Sequence, residues 1–334
     1  GEMTESLTIE SPAPARGLAW IGQITELTPI ANADRIELAT VVCGAGGKWS
    51  GVVKKNDFAI GHSAIVYLQD AIVPQCPELS FLAASNWRVK MARFRGAPSE
   101  CVIVKNDYKS CVGADMTATL GVTKYEKPIP GALGGNPVGN FPSFIPKTDE
   151  PNFQTAYRLL DALRGQQWYA TVKYDGSSTT VYRRGDHFGV CSRNLELFES
   201  PCAFWNVANK YNLRDTLPDG IALQFETVGP GIQKNPIELQ AIDGVAFNAY
   251  HIDDKRYLNR AELVELCSDL KFPLATMIED GREFDLDKTA LQKLAEGKYP
   301  NGKPREGIVI RPYLEQWVGH DRLSFKVINL DYKD

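Results

Sequence analysis

The four residues Lys173-Tyr174-Asp175-Gly176 are the first in this sequence whose types and spacing could do chemistry. A lysine amine attacks phosphorus only after losing its proton, and an ordinary pKa of about 10.4 leaves little free base at neutral pH. A site that uses it must lower that pKa by burial or with adjacent cations, a metal ion among them. Trp168 to Lys173 reads as a strand, so the amine would stand at its end, before a glycine turn, at the edge of a cleft. Asp175 would then be close enough to accept a hydrogen bond from a ribose or from a metal-bound water. The same residues also suit an ordinary hairpin turn, and alone they do not decide between the two readings.

Further segments follow in order. They are Ser192-Arg193-Asn194, Phe225-Glu226-Thr227-Val228-Gly229, Val245-Ala246-Phe247-Asn248, Glu306-Gly307-Ile308-Val309-Ile310-Arg311 and Leu323-Ser324-Phe325-Lys326-Val327-Ile328. Each falls on an expected strand or at its edge. Asp175, Glu226 and Glu306 are carboxylates of the kind that hold hydrated Mg²⁺ or Mn²⁺, hard cations suited to phosphate chemistry. Read singly, Glu306 and Arg311 could pair on a strand edge, and Phe247 could be core.

In this order the segments resemble the motifs of the covalent nucleotidyltransferase superfamily of polynucleotide ligases and capping enzymes. The resemblance implies that Lys173 becomes linked to AMP from ATP, with Asp175, Glu226, Glu306 and Lys326 as its catalytic partners. It implies a Mg²⁺ or Mn²⁺ ion near the α-phosphate, held through waters by Asp175, Glu226 and Glu306. Lys326 would bind that phosphate as a point charge, and Arg193 would reach ribose or phosphate oxygens. Phe247 and Val309 would sandwich the adenine, with Tyr250 a rival to Phe247. Gln154 or Thr148 would read the adenine edge, although Thr148 equally suits a helix cap. Gly229 to Pro236 resembles a segment of RNA ligases in which Lys234 meets a phosphate, and it also suits a generic turn.

These residues need elements to position them. With 334 residues, 43% hydrophobic and 23% charged, the chain suits two globular domains. Strands are expected at Ala19 to Leu27, Ile36 to Val42, Trp49 to Val53, Ala64 to Leu68, Val89 to Phe94 and Cys101 to Val104. Five or six short strands in about a hundred residues fit an all-β OB-fold barrel over 1–126. Pro29 to Ile36 and Arg95 to Cys101 resemble tRNA-binding-type OB-folds. Trp87, Arg88, Lys90, Arg93, Phe94 and Arg95 interleave cations with aromatics, the pattern of a nucleic-acid face. Lys54 and Lys55 would add phosphate contacts at the rim. A solvated strand face is the plain alternative.

A Pro/Gly-rich linker is expected over 127–150, packed in part through Phe141, Phe144 and Ile145. Over 151–334 the pattern is α+β: antiparallel sheets with flanking helices at 153–163, from a Ser200 cap, at 259–270 and at 287–296.

Domain order narrows the resemblance. Ligases and capping enzymes of this superfamily usually carry an OB domain after the last motif, but here eight residues follow Lys326 and the OB-like part comes first. That order resembles ATP-dependent RNA ligases with an N-terminal OB domain, and implies RNA, nicked or broken, as the partner. A GTP-dependent capping enzyme, a DNA ligase and an RNA-binding protein with an inactive ligase-like domain are the alternatives. The motif around Lys326 has one lysine where many relatives have two, so Lys303 or Arg305 would supply a further phosphate contact.

A net charge of −4 argues against coating nucleic acid through bulk positive potential but leaves room for a local basic groove. No run of apolar residues is long enough to span a membrane. Seven cysteines without a CxxC pair point away from zinc and toward an intracellular, reducing compartment, cytoplasmic or nuclear. A monomer is expected.

Overall fold

The computed structural model describes residues 14–44, 46–128 and 131–334. The first half builds a five-stranded antiparallel sheet in the order Gly47–Lys54, Ile36–Cys43, Ala19–Pro29, Ser63–Tyr67 and Val102–Lys105. Alternation along these strands turns Ile24, Val41, Trp49 and Val66 into one apolar core. A bulge between Ile24 and Glu26 bends the longest strand, as closure of a small barrel requires. A 3-10 helix at Pro77–Ser85 escaped the sequence reading because its only buried residue is Leu79, which leaves no helical stripe.

The strand expected over Val89 to Phe94 is not one strand. Val89 packs inward and bonds to the backbone of Asp70 and Ala71, whereas Ala92–Phe94 pairs in a separate hairpin with Ala97–Ser99. Arg95 and Gly96 both have positive φ there, which closes the hairpin in two residues and turns it off the barrel.

The second half contains two antiparallel sheets. Seven strands run in the order Pro137–Asn140, Leu195–Leu197, His187–Cys191, Ser177–Arg184, Ile221–Val228, Asp243–His251 and Arg256–Tyr257. Four run in the order Met277–Gly281, Trp168–Lys173, Gly307–Pro312 and Phe325–Ile328. The helices Ala203–Lys210 and Arg260–Leu270 cover the first sheet and bury Phe204, Leu266 and Phe225. The helices Tyr157–Leu163 and Lys288–Ala295 cover the second, around Leu160, Leu291 and Phe325. Truncating a fully buried Phe such as Phe225 would cost about 3–5 kcal/mol. Cys202, not Ser200, caps the Ala203 helix. Asn259 and Asp287 cap the helices Arg260–Leu270 and Lys288–Ala295, at the first residues of the expected spans.

The Pro/Gly-rich stretch is more than a connector. Pro137–Asn140 pairs with Leu195–Leu197, and Phe141 and Ile145 are buried beside Tyr182 and Tyr250. Ile328 and Leu330, near the end of the second half, complete the core of the barrel. Between the halves, the fully buried Glu100 accepts from Ser50 N (2.8 Å), Lys288 Nζ (2.9 Å), Gln154 Nε2 (2.8 Å) and Gln292 Nε2 (2.6 Å). A carboxylate with four donors is stable out of water, so this contact joins the halves firmly. Among the described residues no helix is long and apolar enough to cross a membrane.

Candidate active site

Lys173 is the last residue of its strand and pairs with Gly307, so antiparallel register brings Glu306 beside it. The amine Nζ lies 3.4 Å from Glu306 Oε1. Tyr299 ties the two strand ends together: its hydroxyl donates to the carbonyl of Lys173 (3.1 Å) and accepts from the N–H of Glu306 (3.3 Å).

The chain then crosses to the other sheet through Tyr174 to Gly176. A Cβ on Gly176 would lie 2.2 Å from the carbonyl oxygen of Thr227, so only glycine fits this crossing. The close approach lets the N–H of Gly176 donate to Glu226 Oε1 at 3.1 Å. Lys173, Glu226 and Glu306 therefore line one pocket between the sheets, together with Lys326, Arg193, Phe247 and Val309. Asp175 is buried beside it and is anchored by Lys127 Nζ at 2.6 Å and by the Tyr332 hydroxyl.

Burial and mutual repulsion set the charge states. Burial pushes the Glu226 carboxyl up to about 7, against the pull of Lys127 and Lys173, and Glu306 and Asp175 add to the rise. Burial also pushes on Glu306, but Lys127, Lys173 and Lys326 outweigh it and hold that carboxyl below its usual value. Lys326 is lowered by burial and by the charge of Lys173.

The residues fit a divalent cation. Glu306 Oε2 is buried without a hydrogen-bond partner, and a hard oxygen in that state suits a hydrated cation. Among the described residues no three His, Cys, Asp or Glu side chains converge to ligate one ion directly, so contact through water is the arrangement this donor set allows.

Phe247 comes to the pocket from the seven-stranded sheet and Val309 from the four-stranded one. Tyr250 does not line it; its ring packs edge-on against Tyr257, 5.1 Å between centroids. Arg311 holds Phe247 in place rather than pairing with Glu306. Its guanidinium donates to the Phe247 carbonyl (2.5 Å), to Ser324 Oγ (2.9 Å) and to Glu150 (2.7 Å). Thr148 lines the pocket, hydrogen-bonded to Ser178, and caps no helix.

Gln154 is a correction. Its amide faces Glu100 at the junction of the halves and does not reach the pocket, because the 3-10 turn Phe153–Thr155 points it toward the barrel.

The expected RNA-facing cations divide three ways. Arg88 is buried over the Tyr125 ring (3.7 Å) and pairs with Asp70 (2.9 Å) and Asp334 (2.8 Å), while Lys90 pairs with Asp334 (3.0 Å); both line the pocket instead of the outer barrel face. Arg93 clasps Glu296 and Asp331, because its short hairpin leans on the catalytic half. Arg95, Lys54, Lys55 and Lys234 are exposed. Of the two cations suggested for a further phosphate contact, Lys303 pairs with Glu238 (2.7 Å) and Arg305 donates to the carbonyls of Leu294, Ala295 and Glu296.

Sequence reasoning missed Lys127, Tyr299 and Tyr332. Lys127 stands at the start of a stretch whose Pro and Gly content signals a linker. Neither tyrosine belongs to any of the ordered segments, so no local signal marks them.

The RNA ligase family model matches residues 166–328, and an OB-fold domain model matches residues 18–108. Among solved structures, Naegleria gruberi RNA ligase with PPi is 32% identical, with a TM-score of 0.82, and the match covers 94% of this chain and 97% of that one. A mutant of that ligase with ATP and Mn matches at a TM-score of 0.81, 32% identity and the same coverage. Another mutant, with AMP and Mn, matches at 0.80 and 32%, over 93% of this chain and 96% of that one. No curated protein matches the chain by sequence.

Proposed function

This chain belongs to the RNA ligase family, and we propose that it seals RNA 3′-hydroxyl and 5′-phosphate ends, at nicks, through an AMP carried on Lys173. The observation that carries this reading is the placing of the Lys173 amine 3.4 Å from Glu306 Oε1, in a pocket that also presents Lys326, Phe247 and Val309.

Lys173 attacks the α-phosphorus of ATP, a phosphoramide bond forms, and pyrophosphate leaves. Lys326 offers fixed positive charge to the α-phosphate oxygens, and Arg193 offers donors to ribose or phosphate. Phe247 and Val309 enclose the adenine. Arg88 and Lys90, on the barrel side of the same pocket, suit the outer phosphates better than an RNA strand. Mg²⁺ or Mn²⁺, held through waters by Glu226 and Glu306 with Asp175 behind them, would neutralise charge at the α-phosphate and favour the uncharged amine. The AMP then passes to an RNA 5′-phosphate, and a 3′-hydroxyl displaces it to close the strand. Exposed Lys54, Lys55, Arg95 and Lys234 are positioned to meet RNA phosphates. We propose that one copy of the chain acts alone, in a reducing compartment; all seven cysteines are free thiols.

Radiolabelled ATP should label the protein, and Lys173→Ala should not be labelled. An adduct that persists in that variant would overturn the proposal. Labelling by GTP would favour a capping-type activity. Equal sealing of all-DNA nicks and of nicks ending in a ribose 3′-hydroxyl would remove the preference for RNA.

A further inference from the structure

Asp175, Glu226 and Glu306 lie near one another where a hydrated divalent cation would be held, and one cation of the protein's own already reaches two of them. Lys127 Nζ stands 2.6 Å from Asp175 Oδ1 and 3.6 Å from Glu306 Oε1. Lys173 shares that same Glu306 oxygen at 3.4 Å, while Glu306 Oε2 has no partner. Two ammonium groups thus crowd one oxygen of a buried carboxylate and leave the other bare.

The charge balance explains the crowding. Asp175 and Glu306 are each about one-tenth exposed or less, and Glu226 lies close to both. Like charges drawn together out of water repel strongly, and a buried unpaired charge is costly. Lys127 offsets that repulsion. Its ammonium meets two of these buried carboxylates directly, Asp175 and Glu306. It reaches the cluster on a flexible four-carbon stem, from a segment just ahead of Pro128 and outside both catalytic sheets.

We propose that Lys127 is a resident cation that occupies the carboxylate cluster before the divalent ion does, and must withdraw its charge for that ion to bind. The inference rests on the reading of this pocket as the metal-dependent adenylylation site. Two cations of the same sign cannot share the cluster without repulsion, so binding of the ion includes the work of displacing the ammonium. A protein that waits without metal would in this way keep its acidic cluster neutralised and its pocket shaped.

The test is Mn²⁺ binding to the full chain without ATP, by titration calorimetry, in the wild type, Lys127→Met and Lys127→Arg. Lys127→Met removes the competing charge and should bind Mn²⁺ about tenfold more tightly, because the binding-competent state no longer has to be reached by displacement. Its melting temperature without metal should fall and should recover when Mn²⁺ is added, which also shows that the variant folds. Lys127→Arg should stay near the wild type in both measurements.

Unchanged or weaker Mn²⁺ binding by Lys127→Met would overturn the proposal. So would a loss of ATP affinity with no gain in Mn²⁺ affinity, the outcome expected of a phosphate-binding lysine. Lys127→Gln repeats the measurement should the methionine variant fail to fold. Failure of the ligase reading is separable: it would appear as a wild-type protein that takes up Mn²⁺ but forms no labelled adduct with ATP.

Discussion

At the scale of single residues, Glu226 has the most informative environment. Its carboxyl is pushed up from 4.5 to about 7, chiefly by burial. Between those two values the folded chain holds a proton at Glu226 that the unfolded chain has released. Stability therefore falls as pH rises through this window, and the full penalty is present above it. Glu226→Gln carries no charge to bury, so in metal-free thermal melts it should stabilise the protein by roughly 2 kcal/mol more at pH 8 than at pH 5. Equal effects at the two pH values would show that Glu226 is not held in this state. The sequence marked Glu226 through its place in a run of ordered segments. It carried no mark on Lys127, whose partners lie 48 residues away at Asp175 and much further at Glu306.

At the scale of elements, the site depends on holding two strand ends and one turn in register. The sequence was legible here wherever a local rule applies. Asn259 and Asp287 start their helices, and Gly176 takes the crossing between sheets where no Cβ fits. Tyr299 obeys no such rule, since its two hydrogen bonds go to backbone groups of different strands. Tyr299→Phe removes both bonds and should cost about 1–3 kcal/mol of stability. With the amine and Glu306 no longer tied, the single-turnover rate of adduct formation should drop about tenfold, with little change in the ATP concentration at half-saturation. A change confined to ATP affinity would assign Tyr299 to nucleotide binding instead.

At the scale of the whole molecule, the two halves share a core and the buried Glu100 contact, and their cations point to different places. Arg88 and Lys90 turn into the pocket, while Lys54, Lys55 and Arg95 stay exposed outside it. Replacing these last three by alanine should weaken binding of nicked duplex RNA and reduce its salt dependence by about 3 in log–log slope. Adduct formation with ATP should be unchanged. A parallel loss of both would place the three cations in the first chemical step and not at an RNA surface.

Some of this protein is determined by its sequence alone. Lys173, Asp175, Glu226, Glu306 and Lys326 were readable as candidates through the order of the segments that carry them, and the fold lines one pocket with four of these side chains and buries Asp175 beside it. The order of the two halves was readable strand by strand. Tertiary structure alone decided that Gln154 faces the barrel, that Arg311 braces Phe247, and that Lys127 enters the acidic cluster. Those outcomes depend on which distant charges burial brings together. A buried charge takes the partner that the fold supplies, and spacing along the chain says nothing about which one that will be.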